Sequence, residues 1–333
     1  ADRLWLEESD MHGHAKLRVG FLACLGALMG SASTCYGQGE AKGSDRVLLV
    51  GDYTGRKVVI HSDGRGILWE HEAPGVYDVC MRPNGNVIFS TYPAVLEVTP
   101  DLGAKKGGKV VWRYACGSAG GPYQGKTEVH GCHLLPSGNV VISEAGSMRL
   151  VEVSPSGEIV GTIPLPPSKT GDVHSQLSLV RSTESAPPLF LVAYMGDGEV
   201  KVLDRTGRVV KTFPVGEGRT GSGTAYVGQA LAAGHVLIGC ADANCVVEFD
   251  GDGKEVWGLV ADDVPAVDLS WTASVYRLPN GNTLVCNWAR GKSSAKAFEV
   301  TPAKEVVWQL DGTYFKGISC LQVLDEHLRP PTP

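Results

Sequence analysis

The chain has 333 residues, 43% hydrophobic and 20% charged, with 43 glycines and 19 prolines. That is enough apolar material for a packed core, and the glycine excess points to many tight turns and therefore to β architecture. The formal net charge is −6 and the 30 Lys and Arg are scattered, so the clustered positive footprint of a nucleic-acid binder is missing and no nucleic-acid partner is expected.

In chain order, Met11 is followed by Lys16 and Arg18, an apolar run from Val19 to Met29, and the small residues Gly30-Ser31-Ala32-Ser33-Thr34. This is the order of a secretory signal, over about residues 11–34, with an apolar run too short to span a membrane. Residues 1–43 are set apart as upstream extension, signal and linker, and a secreted or periplasmic location is expected. Cys35 raises a lipoprotein anchor as an alternative, although Ala32 and Thr34 depart from a lipobox. Among the nine cysteines no zinc spacing occurs. Cys240 and Cys245 flank a four-residue turn and could bridge a hairpin.

Residues 44–326 read as one repeating domain, with 327–333 a short tail. Met81-Arg82-Pro83-Asn84-Gly85-Asn86-Val87-Ile88, Leu134-Leu135-Pro136-Ser137-Gly138-Asn139-Val140-Val141 and Arg277-Leu278-Pro279-Asn280-Gly281-Asn282-Thr283-Leu284 align with one another, and Ala230 to Leu237 is a weaker copy. Each reads as strand, tight turn, strand. A third strand follows, as in Val95-Leu96-Glu97-Val98, and a fourth, as in Lys109-Val110-Val111-Trp112. Ser178 to Phe213 carries the same plan with a Pro-containing insert. Val47 to Trp69 supplies only the last three strands of a unit, and Ile318 to Leu324 supplies the missing first one. The reading is all-β: a six-bladed β-propeller with four antiparallel strands per blade, its ring closed by the C-terminal strand joining the N-terminal blade.

The repeated Asn-Gly-Asn turns and the strand-ending Trp69, Trp112, Trp257 and Trp308 resemble those of secreted bacterial six-bladed propellers. These are of the PQQ-like (quinoprotein-like) kind, similar to NHL and arylsulfotransferase-type propellers. The resemblance covers about residues 45–325 and its motifs are structural; the tryptophans are read as packing between blades. It leaves the cofactor unknown. Bound PQQ is not expected, because the quinoprotein dehydrogenases carry eight blades and a metal beside the quinone, and no matching ligand cluster is seen.

The long b–c loops and the connectors between blades fall on one face, so a site is expected at the channel mouth there. Counting back from each first turn places Tyr77, His130, His174, Tyr226, Ala273 and about Ile318 at that mouth. Glu144, Trp288 and Arg290 join the rim from b–c loops, the Trp–Arg pair suiting a ring or an anionic group. No metal set is read: His133 follows His130 by three and points to the other face of a strand. The expected function is binding of a small molecule or carbohydrate by a monomer without a transmembrane span. The alternative is a propeller enzyme in which His130 and His174 are catalytic. The resemblance implies a funnel histidine for arylsulfotransferase-like or lyase-like chemistry, and an imidazole can serve as acid, base or nucleophile.

Overall fold

A computed structural model describes residues 45–215, 224–288 and 295–330. The expected signal segment and Arg290 lie outside the described residues. Among those described, no helix is long and apolar enough to cross a membrane.

Six four-stranded antiparallel sheets form the blades. Blade I takes β24 (Ile318–Leu324), β1 (Val47–Asp52), β2 (Lys57–Ser62) and β3 (Gly66–Glu72). Blade II runs β4 (Val79–Met81), β5 (Val87–Thr91), β6 (Ala94–Pro100) and β7 (Gly108–Ala115); blade III runs β8 (Glu128–Leu134), β9 (Val140–Ala145), β10 (Arg149–Val153) and β11 (Ile159–Pro164). Blade IV comprises β12 (Val180–Ser182), β13 (Phe190–Tyr194), β14 (Glu199–Leu203) and β15 (Val209–Pro214). Blades V and VI follow as β16 (Ala225–Ala230), β17 (Val236–Cys240), β18 (Cys245–Phe249), β19 (Glu255–Val260), and β20 (Thr272–Arg277), β21 (Thr283–Asn287), β22 (Ala297–Val300), β23 (Val306–Leu310). The innermost strands β24, β4, β8, β12, β16 and β20 touch in succession and return to the start, which closes the ring.

The burial pattern explains the hydrophobic runs. Second strands lie between neighbouring blades, and β1, β5, β9, β13, β17 and β21 are buried at every residue. Outer strands alternate, leaving Val160, Val210 and Val307 half exposed. The first turns need a left-handed residue, supplied by Gly85, Gly138, Gly234 and Gly281 with φ of 89°, 86°, 75° and 84°.

A glutamate on the third strand ties each turn down. Glu97 accepts from Asn86 Nδ2 at 2.6 Å, Arg82 Nε at 2.7 Å and Trp112 Nε1 at 2.6 Å. Glu299 accepts from Asn282 Nδ2 at 2.6 Å and, across the ring closure, from Arg46 Nη2 at 2.5 Å. Glu152 pairs with Asn139 at 2.7 Å and with Arg205 of the next blade, and Glu248 pairs with His235 at 2.8 Å and Arg277 of the next blade at 2.5 Å. The repeated Asn and Glu are therefore one device that locks a turn and joins neighbouring blades.

The outer-strand tryptophans differ from a uniform core. Trp69 and Trp112 are buried, whereas Trp257 and Trp308 are only partly so, under the guanidinium groups of Arg277 and Arg46. The indoles of Trp69, Trp257 and Trp308 donate to the next blade, at Gly107, Pro302 and Asp63. Cys240 and Cys245 are register partners across the β17–β18 hairpin, both buried.

Candidate functional site

Every blade sends a side chain to the mouth on the long-loop face. The b–c loops bring Tyr53 (blade I), Tyr92 (II), Met195 (IV), Asp242 (V) and Trp288 (VI). The connectors and inner strands add Tyr77, His130, His174, Ser178, Thr224, Tyr226 and Trp271. Together with Ser175 they enclose a cavity of about 340 Å³.

Five of the sequence-selected residues, Tyr77, His130, His174, Tyr226 and Trp288, thus meet in one cavity, although the first four are not equivalent strand positions. His130 and Tyr226 are on inner strands, Tyr77 just precedes β4, and His174 sits in a one-turn helix, α1 (Val173–Gln176), ahead of β12. Asp172 caps α1, its carboxylate accepting from the His174 backbone. The rings hold one another: Tyr77 stacks on His130 with centroids 4.5 Å apart and planes at 20°, and His130 meets His174 edge-on at 5.0 Å. Trp288 reaches the cavity against Tyr53, at 4.5 Å, with its indole N–H on Thr54 Oγ1 at 3.0 Å. The remaining equivalents, Ala273 and Ile318, are fully buried apolar residues of blades VI and I.

Glu144 requires a correction. It does not stand at the rim. Its carboxylate is fully buried and accepts from Tyr114 Oη at 2.5 Å, Ser147 Oγ at 2.6 Å, Gly117 N at 2.7 Å and Arg149 Nε at 2.7 Å. Burial opposes its ionisation, but these donors hold the carboxyl below the usual range. Its work is to fix the b–c loop of blade III.

Sequence reasoning missed Glu128. This buried residue opens β8 and reaches both histidines: Oε2 lies 3.3 Å from His130 Nε2 and 2.9 Å from His174 Nδ1, and Lys126 Nζ is 2.5 Å from Oε1. The His130 contact first, then those of Lys126 and His174, holds its carboxyl well below the ordinary range against the effect of burial. A signal was available, since Glu128 and His130 are two apart on one strand and can share a face. Tyr53, Ser178 and Trp271 gave none, because they arise from loops outside the repeat register.

Two of the lining residues carry notable hydroxyls. Ser178 Oγ and Tyr226 Oη are buried and have no hydrogen-bond partner among the described residues. Burial drives the Tyr226 phenol far above its ordinary pKa, so it is a neutral donor. The phenols of Tyr77 and Tyr92 are likewise raised, chiefly by burial.

Deeper along the axis the channel is crossed by an ion pair. Arg181 of β12 bonds both carboxylate oxygens of Asp78 at 2.8 and 2.9 Å, and Cys320 Sγ lies 3.0 Å from the same carboxylate. Beyond it, a second opening on the turn face, about 790 Å³, is lined by Arg181, Tyr276, Gln229 and Gln322. His133 belongs to that opening, with Nε2 3.0 Å from Ser182 Oγ, and burial lowers its pKa to about 3.

No protein-family model matches the chain, and no curated protein matches it. Solved structures do. A protein of unknown function from Bacteroides caccae superposes with a TM-score of 0.71 at 24% identity, over 85% of this chain and 100% of that one. A streptogramin B lyase gives 0.53 at 12% identity over 78% and 77% of the two chains. A chain of a nidogen/laminin complex gives 0.57 at 12% over 84% and 98%. At these identities the likeness is one of fold, and it agrees with the six-bladed propeller.

Proposed function

We propose that this chain is an exported propeller, of the quinoprotein-like kind that its repeats resemble, which binds a small molecule or a single carbohydrate unit at the long-loop mouth. The observation that carries the reading is an aromatic cavity lined by Ser178 and Tyr226, whose buried hydroxyls have no partner among the described residues. Each unpaired buried group costs about 1–3 kcal/mol, and a ligand hydroxyl or carbonyl would remove that cost. Tyr53, Trp271 and Trp288 supply ring faces for stacking. The volume of about 340 Å³ stands at the small end of ligand pockets, which run from about 300 to 1,000 Å³. It suits one ring better than a chain of them.

The test is a thermal-shift and tryptophan-fluorescence screen with monosaccharides, short oligosaccharides and small aromatic acids. At least one compound should raise the melting temperature and perturb the indole emission. Tyr226→Phe and Ser178→Ala should each weaken that compound about tenfold, the worth of one hydrogen bond. Both should leave stability equal or higher, because each removes an unpaired buried hydroxyl. A screen with no response, or a compound held equally by both variants, would contradict the proposal.

A second reading, catalysis by a funnel histidine, is favoured by one feature. His174 is 39% exposed at its side chain and its Nδ1 is held by Glu128 Oε2 at 2.9 Å. A carboxylate behind one ring nitrogen orients the imidazole and leaves the other for proton transfer.

A further inference from the structure

The floor of the mouth contains an arrangement that stacking and hydrogen bonding by the cavity walls leave unexplained. His130 Nδ1 faces the Leu177 carbonyl at 2.6 Å, so this nitrogen carries a proton. Its Nε2 lies 3.3 Å from Glu128 Oε2, a contact that calls for either a proton on Nε2 or a cation held between the two atoms. His174 Nδ1 approaches the same oxygen at 2.9 Å. One donor atom from each of the three residues lies within 4.8 Å of the other two.

We infer that Glu128, His130 and His174 bind a divalent transition-metal ion, of the Zn²⁺ or Co²⁺ class, with a coordination position open to the cavity. Two imidazoles and one carboxylate suit such ions and not Ca²⁺ or Mg²⁺, which take oxygen ligands. A tetrahedral ion with ligands at about 2.0–2.1 Å sets neighbouring donor atoms about 3.3 Å apart, close to the 2.9 and 3.3 Å separations here. Three protein ligands and one open position is the pattern of sites that accept an exogenous ligand. The supporting shell is also in place. The Leu177 carbonyl fixes the His130 tautomer, the Tyr77 ring stacked at 4.5 Å fixes its plane, and Lys126 occupies the other Glu128 oxygen. Metal binding stands on these contacts alone. That the ion also holds an oxygen of the cavity's ligand rests on the function proposed above.

A proton on His130 Nε2 would satisfy the same contact, and titration separates the two. The full chain, stripped with a chelator, is titrated with Co²⁺ by visible absorption and with Zn²⁺ by calorimetry. The expected result is one ion per chain with the d–d bands of a four- or five-coordinate centre. Glu128→Gln and His174→Ala should each weaken binding by at least about 100-fold, the upper range for loss of a mere supporting contact. His133→Gln, in the opposite opening, should leave it unchanged. If Glu128→Gln does not fold, the half-exposed His174→Ala carries the test. Absence of a stoichiometric ion, or binding indifferent to His174→Ala, would overturn the inference. Repeating the ligand screen with and without Co²⁺ keeps the two ideas apart. A compound bound by a protein that takes no ion overturns the metal site alone, and Co²⁺ bound in the expected geometry without any compound supports it.

Discussion

At the scale of single residues, the mouth is built from groups that a closed core would reject. His174 is partly exposed and its ring is held by Glu128 and neighbouring rings, so its loss should cost little stability. If the compound found by screening is turned over, His174→Ala should reduce the rate about 10²–10⁴-fold, the usual share of a general acid or base. An unchanged rate would assign the residue to binding alone. Tyr77, His130, His174 and Tyr226 were legible because counting back from a turn leads to the same end of each blade, although the four do not share one strand position. Glu144 misled the same reasoning. The sequence places it in a b–c loop, whereas it stands within β9, and its direction depends on Arg149 and Tyr114, which no count of residues reveals. Glu128 was overlooked although it is two residues from His130, because an irregularity in β8 between Val129 and Cys132 blurs the alternation there.

At the scale of strands and turns, the repeat is a hydrogen-bonding device as much as a hydrophobic pattern. The Asn-Gly-Asn turn works because glycine takes the left-handed position and the second Asn is pinned by the third-strand glutamate. The turns were readable from Gly85, Gly138 and Gly281. The arginine partners of Glu299, Glu152 and Glu248 were not, because Arg46, Arg205 and Arg277 come from the following blade. Removing one glutamate should therefore act beyond its own hairpin. Glu97→Ala strips three donors, including the buried Arg82 guanidinium, whose Nη1 also reaches Gly138 of blade III at 2.5 Å. Breaking a buried pair on one side costs about 3–5 kcal/mol, and equilibrium denaturation should show a loss of that size. A loss under about 1 kcal/mol would mean the pair is solvated and the device incidental.

At the scale of the whole molecule, closure is the feature the chain ends impose. β24 pairs with β1 along Val47 to Asp52, and its inner face contacts β4 and β20. Deleting residues 316–333 should abolish soluble folding, since blade I loses its inner strand and exposes the edge of β1. A truncated protein with an unchanged melting curve would refute the closure argument. The closure was legible because an incomplete first unit and an orphan last strand fit only a ring. Export is a separate expectation from the residues ahead of the propeller: N-terminal sequencing of protein secreted by a bacterial host should find a start between residues 32 and 44. An intact Met11 start in the cytoplasm would end that proposal.

The ring also explains why the site lies where it does. Six blades bring their long loops to one mouth, where the aromatic side chains form a cup, and the Asp78–Arg181 pair ties blades II and IV deeper along the axis. The most direct measurement is a crystal structure of the protein with the strongest compound from the screen. The account predicts density inside the cup, within hydrogen-bond reach of Tyr226 Oη and Ser178 Oγ and stacked on an aromatic wall. Density confined to the opposite opening beside Arg181 and Tyr276, with the two hydroxyls still unpaired, would contradict it.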